Sequence, residues 1–430
     1  MMDRGFNTYS EVLDFLYTQL PMFQQVRASA YKKDLTNTIK LCESLGNPEH
    51  QFKSVHVAGT NGKGSSSHFL AAILQSAGCK TGLYTSPHLK SFTERIKING
   101  QEIPQDKVVE FVNRTQTTIK DIAPSFFELS VAMAFDYFAS QKVDIAVIEV
   151  GMGGRLDSTN VIIPEVSLIT NISMDHQQWL GDTLNLIARE KAGIIKDHIP
   201  VVISEKQSEI HEVFTDIADQ RNSELVFADE QYSFKTDGHD IVVVKEGVDW
   251  INMTPQLRGD YQKSNLPGVL GAIEVLNKRG FNVAQEHIKT GIEGVVDLTG
   301  IKGRWQLVQE EPRVICDVGH NEAGVKQIID QLGHESFDKL FVVWGMVADK
   351  DAQTILQLLP KNAYYFFCSA KVPRSMSASL LSEYAKEVGL NGEVVEDVNE
   401  ALDSAISRST THDLIFVGGS TFVIADLQNI

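Results

Sequence analysis

The stretch VHVAGTNGKGSSSHFLAAILQSAG, residues Val55 to Gly78, reads as a strand, a glycine-rich loop and a helix in succession. Val55 and Val57 alternate in a short β-prone run that stops at Gly59. Phe69, Leu70, Ile73, Leu74 and Ala77 recur at helical spacing, and Gly78 supplies a C-terminal stop. Between them lies GTNGKGS, comprising Gly59, Thr60, Asn61, Gly62, Lys63, Gly64 and Ser65. A strand that enters a helix through glycines leaves backbone N–H groups free at the helix N-terminus, where the helix dipole also favours an anion. The three glycines let the backbone approach phosphates, Lys63 can neutralise β and γ charge, and the Ser65 hydroxyl can hold Mg²⁺. The spacing is not that of the commonest nucleotide loop, because two residues rather than four precede Gly-Lys and Gly64 intervenes before the hydroxyl. A ligand-free glycine turn is the alternative, and it gives a lysine set among three glycines little purpose.

Toward the N-terminus, residues 8–20 are expected to form an amphipathic helix capped by Ser10 or Thr8, with Val12, Leu13, Leu16 and Tyr17 on its buried stripe. A second helix is expected from about Lys33 to Leu45, stopped by Gly46-Asn47-Pro48. Toward the C-terminus, Lys80–Tyr84 reads as a strand leading into a loop with Ser86, Pro87 and His88, and Phe126–Ala139 as an apolar helix. The run VDIAVIEVG from Val143 to Gly151 is near-continuously apolar and β-branched, as in a parallel strand buried on both faces. Glu149 near its end occupies the place where α/β sheets put ligand chemistry. It can hold Mg²⁺ directly or through water, or be a rim acid facing solvent.

The strand expected at Val166–Thr170 leads to NISMDHQQWLG, where His176 is a candidate metal ligand or a structural histidine. In DTLNLIAREKAGIIK, Leu184, Ile187, Ala188 and Lys191 fall at i, i+3, i+4 and i+7, so Lys191 points with the apolar stripe. Burial lowers a lysine pKa by up to roughly 3 to 5 units unless an anion compensates. Such an amine can pair with a phosphate, react with CO₂ to give a carbamate, or snorkel from a packed stem.

Residues 201–250 read as mixed short strands and polar loops, expected to be peripheral. In LRGDYQKSNLPGVLGAIEVL, Gly259 and Asp260 predict a turn, and a helix is expected from near Ser264 with Leu266, Val269, Leu270 and Ile273 inward. Asn265 there can bond a nucleotide base or cap the helix. The stretch VVDLTGIKGRWQ, Val295–Gln306, has no clear periodicity and is taken as the boundary between domains at 1–298 and 299–430. Beyond it, strands are expected at Arg313–Val318, Leu340–Trp344, Tyr364–Cys368, Glu393–Val395 and Leu414–Val417, giving a second, smaller α/β domain. CDVGHNEAG places Asp317 and His320 in a carboxyl-end loop, and Arg304 lies in the linker. A cleft between two α/β domains is a natural ligand site, and a loop-stabilising role is the alternative for Asp317 and His320.

With 430 residues, 43% of them hydrophobic, the chain can bury a sizeable core. Its net charge of −17 and lack of any lysine or arginine cluster argue against a nucleic-acid partner. Cys42, Cys79, Cys316 and Cys368 are far apart with no C-x-x-C pair, which argues against a zinc site or a disulfide framework, and they read as reduced core thiols. Acids interrupt the N-terminal stretch where a signal peptide needs an apolar core, and no later run reaches membrane-spanning length, so a cytoplasmic protein without a membrane partner is expected.

GTNGKGS at 59–65, YTSPHL at 84–89, IEVGMGGRLDSTN at 148–160, MDHQQWLG at 174–181, REKAGI at 189–194, GDYQKSN at 259–265 and DVGHN at 317–321 occur in order. Together they resemble the folylpolyglutamate synthase family, including its bifunctional dihydrofolate synthase members, within the Mur ligase superfamily. The resemblance implies an α/β fold with a P-loop-type, mostly parallel sheet that binds Mg·ATP, and a smaller Rossmann-like domain similar to dihydrofolate reductase that helps hold glutamate. It implies a ligase that activates a folate carboxylate as an acyl phosphate and joins L-glutamate to dihydropteroate or reduced folates. Ser65, Ser86 and Glu149 match positions around one magnesium and His176 a second. Lys191 matches a lysine carried as a carbamate, which gives a buried lysine its reason. Asn265, Arg304, Asp317 and His320 match positions around the nucleotide. Glu322 departs from the family, many of whose members carry Pro after His-Asn. Members are usually monomeric, and small molecules are the expected partners. A cell-wall ligase of the Mur group fits YTSPHL and GGRLDSTN less well, and a non-enzymatic nucleotide switch leaves Glu149, His176 and Lys191 unexplained.

Overall fold

The computed structural model describes residues 5–21 and 34–430. Lys33, the expected opening of the second helix, lies outside the described residues. Two compact units emerge: Met1–Gln256 with Lys263–Gly300, and Leu257–Gln262 with Ile301–Ile430.

The first unit begins with α1 (Tyr9–Gln19), where Thr8 rather than Ser10 is the cap, in a reciprocal capping box with Glu11. It continues through α2 (Thr36–Ser44), β1 (Lys53–Ala58), α3 (Lys63–Ser76), β2 (Thr81–Tyr84), β3 (Ile96–Ile98), β4 (Gln101–Glu102), α4 (Gln105–Ile122), α5 (Phe126–Ser140) and β5 (Ile145–Glu149). Then follow β6 (Val166–Ile169), α6 (Gln177–Leu180), α7 (Leu184–Ala192), β7 (Val201–Ile203), α8 (His211–Gln220) and β8 (Leu225–Phe227). The sheet order is β4-β3-β2-β5-β1-β6-β7-β8. Its pairs from β2 to β8 are parallel, and β3 and β4 form an antiparallel edge. Every residue of β5 is buried, as its apolar run requires. The carboxyl end of β1 is flanked by β5 and β6, so the glycine loop opens between the segments that follow those two strands.

The 201–250 region is less peripheral than expected, because β7 and β8 extend the main sheet and α8 packs Val213 and Phe214 into the core. Only β9 (Tyr232–Asp237), β10 (Asp240–Lys245) and β11 (Val248–Met253) form a separate three-stranded antiparallel sheet. The helix α9 (Gln262–Lys278) buries Leu266, Val269, Leu270 and Ile273. α10 (Gln285–Glu293) and α11 (Val295–Thr299) close the unit, the latter inside the stretch read as aperiodic.

The second unit carries β12 (Gln306–Gln309), β13 (Arg313–Cys316), α12 (Glu322–Leu332), β14 (Leu340–Trp344), α13 (Ala352–Leu358), β15 (Tyr364–Phe367), α14 (Ala378–Glu387), β16 (Asn391–Val394), α15 (Val398–Arg408), β17 (Leu414–Gly418) and α16 (Thr421–Asp426). Its sheet order is β12-β13-β17-β14-β15-β16, parallel except for β12, an edge strand not foreseen. The fold class is the α/β pair of sheets expected. Cys42, Cys316 and Cys368 are buried, whereas Cys79 is half-buried and so is not a core thiol. Among the described residues no helix is long and apolar enough to cross a membrane.

Candidate functional site

The loop after β1 is held open by two glycines whose backbone no other residue reproduces. Gly59 has φ +145°, and a Cβ there would lie 1.8 Å from Oγ1 of Thr170. Gly62 has φ +83°, and its Cβ would lie 2.0 Å from Oδ1 of Asn265. Gly62 is also the N-cap of α3 and, as a glycine, brings no capping side chain of its own. The helix dipole favours an anion at this end, beside the glycine loop.

A second loop, after β6, grips the first. The Thr60 N–H donates to the Asn171 carbonyl at 2.8 Å, and the Asn61 N–H to Oδ1 of Asn171 at 3.1 Å. The Thr170 hydroxyl donates to the Asn61 carbonyl at 2.5 Å, and the Ser173 N–H to the Thr60 hydroxyl at 3.0 Å. These partners lie more than a hundred residues from the loop, and nothing in the sequence marked Thr170, Asn171 or Ser173.

Two lysines converge on one carbonyl. Lys63 donates to the carbonyls of Gly59 and Thr60, each at 3.0 Å. Lys191, only 4% exposed on α7, donates to the same Gly59 oxygen at 2.8 Å. Burial, with the Lys63 cation as the second cause, pushes the Lys191 pKa down to about 7, against the pull of Asp175 and Asp157. A pKa lowered in this way favours the neutral amine, the form that adds to CO₂.

Glu149 ends β5 at 4% exposure, and its Oε2 accepts the Ser86 N–H at 3.0 Å. His176 precedes α6 at φ 50° with a third of its side chain exposed, and its backbone N–H donates to Asp175 at 2.7 Å. Among the described residues no cluster of three or more His, Cys, Asp or Glu is placed to hold a metal. A hard divalent ion at Glu149 fits the mixed donor set that Mg²⁺ favours, with one or two carboxylates completed by hydroxyl, water and phosphate oxygens. Ser65 is buried in the first turn of α3. Asn265 lies inside α9, beyond its first residues, so it is not a cap, and its side chain abuts Gly62 instead.

In the second unit, Asp317 is 3% exposed after β13. Its Oδ2 accepts from the Tyr261 hydroxyl at 2.5 Å and from the Trp305 N–H at 2.7 Å, and its Oδ1 from the Gly319 N–H at 2.8 Å. Burial pushes its pKa up, while the Tyr261 bond and the nearby Arg304 guanidinium oppose that shift. Arg304 Nη1 donates to the Gly303 carbonyl at 3.2 Å. His320 Nδ1 lies 3.0 Å from the Val318 carbonyl, which can only accept, so this nitrogen carries a proton.

The chain matches the family models of the Mur ligase middle domain over residues 57–273 and of the Mur ligase, glutamate ligase domain over residues 303–421. It is 33% identical over 421 residues to the dihydrofolate synthase/folylpolyglutamate synthase of Bacillus subtilis, covering 92% of this chain and 94% of that protein. Among solved structures, Escherichia coli FolC in complex with DHPP and ADP superposes with a TM-score of 0.86 at 28% identity, covering 97% of this chain and 96% of the other. A bifunctional folylpolyglutamate synthase/dihydrofolate synthase with Mn, AMPPNP and L-glutamate bound superposes with a TM-score of 0.84 at 28% identity, covering 99% and 98%.

Proposed function

Because the chain belongs to the dihydrofolate synthase/folylpolyglutamate synthase family of Mur ligases, we propose that it joins L-glutamate to dihydropteroate, to reduced folates or to both, with conversion of ATP to ADP and phosphate. It is an ATP-dependent acid–amino-acid ligase. The observation that carries this reading is the glycine-built loop that opens α3, lying with two lysines beside β1, whose neighbour β5 ends in a buried carboxylate.

Residues 1–298 take the ATP-binding role and residues 299–430 the glutamate-ligase role. A carboxylate does not condense with an amine in neutral water, because oxide is a poor leaving group. The substrate carboxylate therefore attacks the γ-phosphorus of ATP, ADP leaves, and an acyl phosphate results. The glutamate α-amine then attacks the acyl carbon, and the tetrahedral intermediate collapses with loss of phosphate and a proton to give the amide. Backbone N–H groups of Gly59–Ser65 hold the phosphates, and Lys63 leaves its two loop carbonyls to meet the charge on the transferring phosphoryl group. Asn265 contacts the nucleotide from α9, with Arg304, Asp317 and His320 as the nucleotide-side group of the second unit. Ser65, Ser86 and Glu149 would hold one Mg²⁺ and His176 a second, with Lys191 as its carbamate able to complete a metal site, and the bound metal would supply charge neutralisation. The Lys191 amine forms that carbamate by adding to CO₂ with release of one proton, turning a cation into a carboxylate-like ligand. The protein acts as a cytoplasmic monomer on these small molecules.

The test is ADP release by the purified chain with Mg·ATP and L-glutamate, supplied in turn with dihydropteroate, tetrahydrofolate or a cell-wall precursor, products being identified by mass. Glutamate addition to either pterin supports the reading, and the pattern assigns dihydrofolate synthase, tail extension or both. Consumption of the cell-wall precursor alone overturns the folate assignment.

A further inference from the structure

Beneath the carboxyl ends of β1 and β5 runs a buried polar chain that the reaction described above does not use. His56 sits in the middle of β1, fully buried, in register with Ile148 on β5 and Ser167 on β6. Its Nε2 lies 2.9 Å from the hydroxyl of Thr159, which is itself fully buried. That hydroxyl is 2.5 Å from Oδ1 of Asp157. Oδ1 also accepts the Thr159 N–H at 3.0 Å, and Oδ2 accepts the Met152 N–H at 2.9 Å. Nδ1 of His56 is buried and meets no hydrogen-bond partner among the described residues.

These contacts fix where the protons are. Two backbone N–H groups and a hydroxyl converge on the Asp157 carboxylate, so its oxygens accept and the single Thr159 proton goes to Oδ1. The hydroxyl oxygen then accepts from Nε2–H of His56, which leaves Nδ1 as a bare lone pair. The opposite order would protonate Asp157 and bury an Nδ1–H with nothing to receive it, and orphaned buried N–H groups are the rarer and costlier defect. Desolvation, with the Lys196 cation as a second cause, holds the His56 pKa down at about 3, so the ring carries one proton throughout the neutral range.

We propose that His56, acting through Thr159 and Asp157, is a positioning residue that fixes the loop from Gly151 to Asp157 behind Glu149 and sets that loop against the phosphate loop. One strand serves as the reference for both. The carboxyl end of β1 opens into Gly59, and its fourth residue anchors the segment that follows β5. Asp157 holds Met152, three residues after Glu149, by the backbone, so the aim of the Glu149 carboxylate is set from β1 rather than by the glycines around it. The kinetic arm of this inference rests on the ligase reading; the proton placement does not.

Nitrogen-15 NMR of the histidine-labelled full chain is expected to show His56 protonated at Nε2 and bare at Nδ1, unchanged from mildly acidic to mildly alkaline buffer. Thr159→Val keeps the shape and removes the hydroxyl. It should abolish that single tautomer and raise, by about tenfold, the Mg²⁺ concentration needed for half-maximal ADP release and the Mn²⁺ concentration needed for half-saturation in a direct binding titration. The KM for glutamate should stay unchanged. Thr159→Ser keeps the hydroxyl and should restore both readouts. A proton on Nδ1 in the unaltered chain overturns the proposal, as does an unchanged metal requirement in the valine variant. Equal losses in the valine and serine variants overturn it too, because packing of the methyl would then be the cause. A chain that failed to ligate glutamate would leave the NMR and Mn²⁺ titration arms intact, so the two failures are distinguishable.

Discussion

Lys191 in the first unit and Asp317 in the second are both ionisable side chains buried to within a few per cent, and the protein provides for them in opposite ways. Asp317 receives a phenol hydroxyl and two backbone N–H groups, with the Arg304 charge nearby. Lys191 reaches one carbonyl oxygen, which it shares with the cation of Lys63. Burial disfavours the charge at both sites. The first opposes that cost with three hydrogen-bond donors and closes a turn. The second opposes it with one shared carbonyl and the pull of Asp175 and Asp157, which leaves an amine of raised reactivity. Burial alone therefore does not mark chemistry. What marks it is how little of the cost of burial the surrounding groups offset.

The sharpest break would come from Lys63, which shares the Gly59 oxygen. Lys63→Ala should lower ADP release by on the order of 10³ while circular dichroism stays unchanged. Retained turnover would remove the phosphate role and with it the reason for two cations at one carbonyl. Lys191→Ala should cost on the order of 10² in rate, with partial recovery on adding short-chain carboxylic acids that stand in for a carbamate. Full activity in that variant would return Lys191 to a packed stem.

The same contrast can be read from stability against pH. The folded-state pKa of Lys191 lies near 7, below its ordinary value of 10.5. The unfolded chain therefore binds the extra proton between those values, and stability rises with pH across that window by at most about 1.4 kcal/mol per pH unit from this group. Lys191→Met should lack the rise and be more stable than the unaltered chain below pH 7, with the gap closing as pH approaches 10.5. Urea midpoints measured across that range check it, and parallel curves for the two proteins would refute the buried-cation account. Smallest are the changes at the compensated site. Asp317→Asn should lower unfolding stability by about 2 kcal/mol and Tyr261→Phe by about 1 kcal/mol, read from urea melts. A larger loss for Tyr261→Phe than for Asp317→Asn would mean that the carboxylate is not the hub of that turn.

Much of this contrast was legible from residue order. The four-position stripe ending at Lys191 gave its burial, and the glycine spacing located the cradle, because both signals are local. The grip of Thr170, Asn171 and Ser173 on the loop was not legible, since it arises only when β6 is laid beside β1. Nothing local singles out His56 within its strand, because its partner lies 103 positions away. The helix α8 was missed although Val213, Phe214, Ile217 and Ala218 carry its period, the polar residues around them having masked the stripe. The edge strand β12 pairs on one side alone and carries little apolar patterning to announce it.

The assignment of Leu257–Gln262 to the second unit means that the polypeptide passes between the units at 256/257, 262/263 and 300/301. Gene dissection at the last of these points would not release a whole module. A fragment beginning at Ile301 would leave Gln331 without the Arg258 carbonyl and the Asp260 N–H that its amide pairs with, and Asp317 without Tyr261. The two modules are thus interleaved in the reading frame, and neither can be transplanted as one uninterrupted piece of DNA.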